Sequence, residues 1–156
     1  MAKINEDLIL KVFAEMVINI PSLSKYIPEK DDDEEIDYRI NGDLVIKNFP
    51  WPIGVELRRL FSGSMRQPGK LRLDQIFKTI ERTIQFVSFI MISQVWYDII
   101  SKKVSLPEQI KSEFASRFSV LTMGTFCWLI RTLATSYSEQ KLEWFLPEMN
   151  AQFDKK

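Results

Sequence analysis

The sequence predicts a mainly α-helical protein: a multi-helix bundle around a long central helix at about residues 73–101, with one small β-hairpin at about 36–47. Three observations carry that prediction. Over residues 73–100 apolar side chains recur at helical spacing, and over 84–96 they occupy nearly every face, the pattern of a helix enclosed by protein. Shorter stretches at 5–20, 52–62, 108–118 and 121–136 repeat the helical period. Asn41-Gly42 stands between two alternating runs, and a type I′ turn requires positive φ at both of its central residues, which favours this pair.

In chain order, residues 5–20 place Leu8, Ile9, Val12, Phe13, Met16, Val17 and Ile20 on one helical face, with Asn5 as N-cap and Pro21 limiting the far end. Such a helix needs a surface, either its own domain or another chain. Leu8, Val12, Phe13 and Met16 are therefore candidate interaction residues, together with Trp51. The run EKDDDEEID at 29–37 lacks the alternating oxygen ligands and central glycine of a calcium-binding loop. It reads as a solvated acidic linker, or as a lid over the basic stretch that follows. Strands at 36–40 and 43–47 form the expected hairpin, which must pack on the helices or extend a partner's sheet, because two strands alone are marginal.

Pro52 presets the first turn of the next helix, Trp51 is held extended between two prolines, and Gly63 closes the helix. After the central helix, Pro107 starts a short helix at 108–118. A more buried one follows at 121–136, where Gly124 and Thr125 permit close approach of a neighbour. A last helix beginning near Ser138 and Lys141 carries Leu142, Trp144, Phe145 and Leu146 and is limited by Pro147. There is no internal repeat and no sustained heptad pattern. The expectation is one domain over 1–156: an N-terminal helix and tail (1–28), the linker (29–37), and a hairpin-plus-helical core (38–150).

Composition narrows the chemistry. There are no histidines, which removes the usual general base at neutral pH and the usual imidazole metal ligand. The single cysteine, Cys127, lies between Phe126 and Trp128 and reads as a small inert core residue. No cofactor is expected. The net charge is zero, but residues 1–37 carry four lysines and ten acids, whereas 58–82 holds seven Lys/Arg against two acids. A balanced total argues against broad nucleic-acid binding. Acidic and basic residues interrupt the N-terminal apolar positions, so no signal peptide is expected. The run at 84–96 falls short of the roughly 20 apolar residues of a bilayer span. The expectation is a cytoplasmic protein with a buried core helix and no membrane anchor.

Arg58 and Arg59 are neighbours in one helix and point about 100° apart. A pair between either of them and Glu81 would pin the short helix against the long one. Alternatively Arg58, Arg59 and Arg82 line an aromatic-walled cleft for an anionic ligand, since guanidinium suits carboxylate and phosphate. The sequence GSMRQPGK is not a phosphate-cradling loop, for it lacks the trailing Ser or Thr. Asp74 near the start of the central helix reads as a dipole-stabilised residue, not one of an acid pair with Glu81. Trp51, Trp96, Trp128 and Trp144 read as parts of one aromatic-rich core, with Trp51 and Trp144 nearest the surface and Trp96 enclosed with Phe86, Phe89, Ile90 and Ile92.

Three segments, PWPIGVELRRLF, IFKTIERTIQFVSFIMIS and FSVLTMGTFCWLIRTL, resemble a helical adaptor or recognition module of bacterial multidomain signalling and defence proteins, over about residues 49–135. The matching residues are Pro50, Pro52, Arg58, Arg59, Glu81, Ser119, Gly124 and Trp128; the aromatic or histidine expected before Trp128 is Cys127 here. The resemblance implies recognition work beside an effector or regulatory domain. Together these readings lead to the expectation of a non-catalytic protein-interaction or regulatory module, with a protein partner or self-association. The alternative is a sensor of a small anionic ligand or nucleotide.

Overall fold

The computed structural model describes residues 3–27, 38–65 and 67–153. Among the described residues, seven α-helices carry the chain: α1 Lys3–Asn19, α2 Tyr38–Asn48, α3 Trp51–Leu60, α4 Lys70–Ile100, α5 Glu108–Arg117, α6 Met123–Glu139 and α7 Pro147–Phe153. Short 3-10 turns at Pro21–Tyr26 and Gly63–Met65 complete it. The contacts divide it into two compact units, Met1–Arg82 and Thr83–Lys156, with the boundary inside α4.

In unit 1, α1 packs on α2 and α2 on α3. Ile9, Phe13 and Met16 of α1 are buried, as are Val45 of α2 and Ile53, Leu57 and Leu60 of α3. Gly54 brings the two later helices together: a Cβ there would lie 2.8 Å from the Ile46 carbonyl oxygen, closer than any side chain tolerates. Pro50 and Pro52 flank Trp51 at the start of α3, where their missing N–H groups cost no helical hydrogen bond.

No strand occurs among the described residues, so the expected hairpin is not there. Residues 38–48 form α2, and no glycine of the described chain has positive φ, which removes the type I′ turn. The physical reason is tertiary. Asn41, Gly42 and Val45 are buried within one turn of α2, and a Cβ built on Gly42 would lie 3.5 Å from the Ile9 methyl of α1, an ordinary contact that places this face of α2 against α1. The same residues that alternate along a strand also form a helical stripe, and a waiting helix face selects the helix. The acidic run at 29–37 lies outside the described residues.

In unit 2, Met91, Val95, Val104, Leu106, Leu129, Leu133, Tyr137 and Trp144 form the core. The helix ends here are set by lysines in the left-handed region. Lys102 (φ 55°) follows α4 and Lys141 (φ 54°) follows α6. Lys103 N–H donates to the Asp98 carbonyl at 2.8 Å, and Leu142 N–H to the Tyr137 carbonyl at 2.9 Å, the 6→1 bond of a Schellman motif. Thr122 and Thr125 cap the start of α6 reciprocally. The expected helix through 142–146 is therefore not formed. Pro147 begins α7 instead, and Asn150 clamps the intervening turn by accepting from Trp144 N–H (2.6 Å) and donating to its carbonyl (3.0 Å).

The long helix is present at the expected place but is not enclosed as expected. Its most apolar 18-residue window is 28% buried, and the helix is long and apolar enough to cross a membrane by length and composition. In unit 2 it packs one side, through Ser88, Met91, Val95 and Asp98. Phe86, Ile90 and Ile92 are half-buried, Phe89 is half exposed with its ring 6.0 Å from that of Phe126, and Trp96, Tyr97 and Ile100 face outward. Trp96 is 65% exposed and Trp144 only 5%, the reverse of the expected order. Cys127, expected in the core, is exposed on α6.

Candidate functional site

An apolar depression lies wholly in unit 2, between α4 and α5. Its walls follow from two stripes of identical spacing. Ile92, Val95, Trp96 and Ile99 recur along α4 at i, i+3, i+4 and i+7, and Lys111, Phe114, Ala115 and Phe118 do the same along α5. Leu106 and Leu133 close the floor, leaving a groove of about 490 Å³. Leu133 and Val95 are fully packed from behind, while Trp96 and Ala115 sit at the lip. The α5 wall is stiffened by aromatic contacts: Phe114 stacks on Phe118 at 5.5 Å and meets the edge of Trp128 at 5.4 Å, with the Arg117 guanidinium 4.6 Å over the Trp128 ring. The single polar lining side chain, Lys111, is tied to Glu108 at 2.6 Å, both groups being well exposed.

Such a groove offers shape and apolar surface but no nucleophile and no acid–base pair. The nearest buried carboxylate, Asp98, is held structurally: the Tyr137 hydroxyl donates to it at 2.7 Å and Gln94 at 3.4 Å, with the Lys103 ammonium 3.9 Å away. Burial raises the Tyr137 hydroxyl above its ordinary value, and the Asp98 charge adds to that, so this phenol stays protonated and acts as a donor. Its ring stacks on Trp144 at 4.0 Å.

Unit 1 separates the residues that the sequence grouped. Phe13 and Met16 are buried and Leu8 and Val12 half-buried, so the apolar face of α1 is used within its own unit. Trp51 is 80% exposed. Arg59 pairs with Glu56 one turn earlier at 3.3 Å, not with Glu81. Glu56 is the buried carboxylate here: Gln75 of α4 donates to its side chain at 2.8 Å and to its carbonyl at 3.2 Å. The Gln75 hydrogen bond holds the Glu56 carboxyl below its ordinary value against the opposing effect of burial, helped by the charges of Arg59 and Arg82. Arg58 is not among the groups that hold the Glu56 charge. Arg58 instead lines a cleft of about 390 Å³ with Lys47, Phe49 and Trp51. Neither Arg58 nor Lys47 has an ion-pair partner among the described residues.

The groove of unit 2 was not singled out from sequence, although its signal was there. Phe114, Ala115 and Phe118 recur at i, i+1 and i+4 in and just after α5, beside the Ile92, Val95, Trp96 and Ile99 stripe of α4. No known protein family, curated protein or solved structure matches this chain.

Proposed function

We propose that this chain is a non-catalytic protein-interaction module whose unit 2 accepts one face of an amphipathic α-helix. The observation that supports this reading is the pair of apolar stripes on α4 and α5, which run side by side over about two turns. A groove of that length matches the i, i+4, i+7 anchors by which an amphipathic helix docks. Lys111 at its edge favours an acidic flank on the incoming helix. The test is fluorescence anisotropy of the intact chain with a synthetic stapled helix bearing leucines at those three positions. Binding is expected, weakened about tenfold by Ala115→Arg, which fills the lip of the groove with a charged side chain. No binding, or binding indifferent to that substitution, retires the reading.

A second reading is supported by the cleft at Lys47, Arg58, Phe49 and Trp51: two cations beside aromatic rings suit an anion carrying a planar group. Adenosine monophosphate is the probe. This reading expects a rise in Tm that Arg58→Gln abolishes. An unchanged Tm across nucleotides and inorganic phosphate removes it.

A further inference from the structure

The chain that carries the groove also displays a face of the kind the groove accepts. In unit 1, α4 presents Leu73, Phe77 and Ile80 to solvent, and all three are about half exposed. They are spaced i, i+4 and i+7, which places them within about 60° of one another around the helix. Beside this stripe lies the exposed carboxylate of Asp74, on the same flank as Glu81 seven residues on. The one polar side chain lining the groove is Lys111, a cation, and its exposed pair with Glu108 is weak enough to exchange. Spacing, apolar character and charge are therefore complementary. Leaving both surfaces open to water is costly: the face exposes Leu73, Phe77 and Ile80, and the groove exposes Trp96 beside the half-buried Ile92, Ile99, Phe114 and Phe118.

We infer that the occupant of the groove is the Leu73–Phe77–Ile80 face of a second copy of this chain. The inference rests on the reading of the groove as a helix acceptor. The contact is head-to-tail: groove and face are different surfaces, so each added copy leaves one of each unfilled, and association continues past the dimer unless a ring closes.

Sedimentation velocity of the intact chain tests this with two variants. Ala115→Arg blocks the groove and leaves the face; Phe77→Ser blunts the face and leaves the groove. Both positions are exposed, and circular dichroism of each variant is the control, with unchanged helical content expected. The native chain is expected to grow in mass with concentration, and each variant alone to remain a monomer. Their equimolar mixture is expected to form a dimer that grows no further, because only one intact groove and one intact face remain in the pair. A second pair, Trp96→Ser for the groove and Leu73→Ser for the face, repeats the experiment if either first variant fails to fold. A native chain that stays monomeric overturns the inference, as does a mixture that stays monomeric while the native chain associates. A monomer that instead floats with phosphatidylcholine vesicles also overturns it. If the chain is monomeric yet still binds the synthetic helix, only this inference falls; if neither association occurs, the helix-acceptor reading falls with it.

Discussion

Glu56 shows how a single charge can hold two helices together. It sits in the buried stripe Ile53, Glu56, Leu57 and Leu60 of α3, where a bare carboxylate would be strongly disfavoured. The Gln75 amide from α4 and the Arg59 guanidinium resolve that cost. Glu56→Ala leaves Gln75 without its side-chain acceptor, and is expected to lower stability by about 2 kcal/mol, the range for a hydrogen bond to a charged group. Because the folded-state value lies below the ordinary 4.5, the contribution is complete above that pH and is lost as pH falls through the lower value. Urea unfolding of native and variant chains should therefore give curves well separated at neutral pH that converge in acid. Parallel curves at all pH would show Glu56 to be held by packing alone. The arginines drew the sequence reading toward Glu81, yet a glutamate set between Ile53 and Leu57 at helical spacing was the legible sign of a buried partner. Gln75 was not legible, since its role depends on which face of α4 meets α3.

At the scale of the element, the helices were legible from periodicity, and the failures trace to particular residues. Asn41-Gly42 favours a turn locally, but α1 supplies an apolar surface against which Asn41, Gly42 and Val45 are buried, and the helical stripe wins. Lys102 and Lys141 end helices in a backbone region that sequence reading assigns to glycine or asparagine, so the exit from α6 and the start of α7 at Pro147 were hidden. Two glycine substitutions separate helix from hairpin. At Gly42 a Cβ meets only a methyl group at 3.5 Å, an ordinary contact. Gly42→Ala is therefore expected to raise stability by about 0.5–1 kcal/mol through helix propensity. In a type I′ turn the same change would lower it, since alanine tolerates positive φ poorly. At Gly54 the Cβ meets the Ile46 carbonyl at 2.8 Å, a backbone atom that cannot swing away. Gly54→Ala should cost about 1–3 kcal/mol as α2 and α3 are pushed apart. Thermal melts of the two variants moving in opposite directions would agree with the packing described; a loss at Gly42 would not.

For the molecule as a whole, the decisive quantity is how much apolar surface α4 leaves in water. Counting apolar residues around a helix tells which sides could be buried, not which sides have neighbours, and that is why Trp96 and Phe89 were placed inside by sequence and outside by structure. A helix apolar on all faces but packed on one is stable in water only at a cost that association relieves. If copies fill one another's grooves, the folded state is linked to protein concentration, because association draws on folded chains alone. Each tenfold rise in concentration above the dissociation constant then adds up to about 1.4 kcal/mol per contact. For a chain of this size that corresponds to a Tm increase of roughly 3–5 °C. Differential scanning calorimetry at several concentrations should show this slope for the native chain. Phe77→Ser should flatten it while leaving the low-concentration Tm nearly unchanged, because Phe77 lies at the surface of its own unit. A slope that survives in both Phe77→Ser and Ala115→Arg would mean that the copies meet through some other surface, and a flat native line would mean that α4 keeps its aromatic face in water unaided.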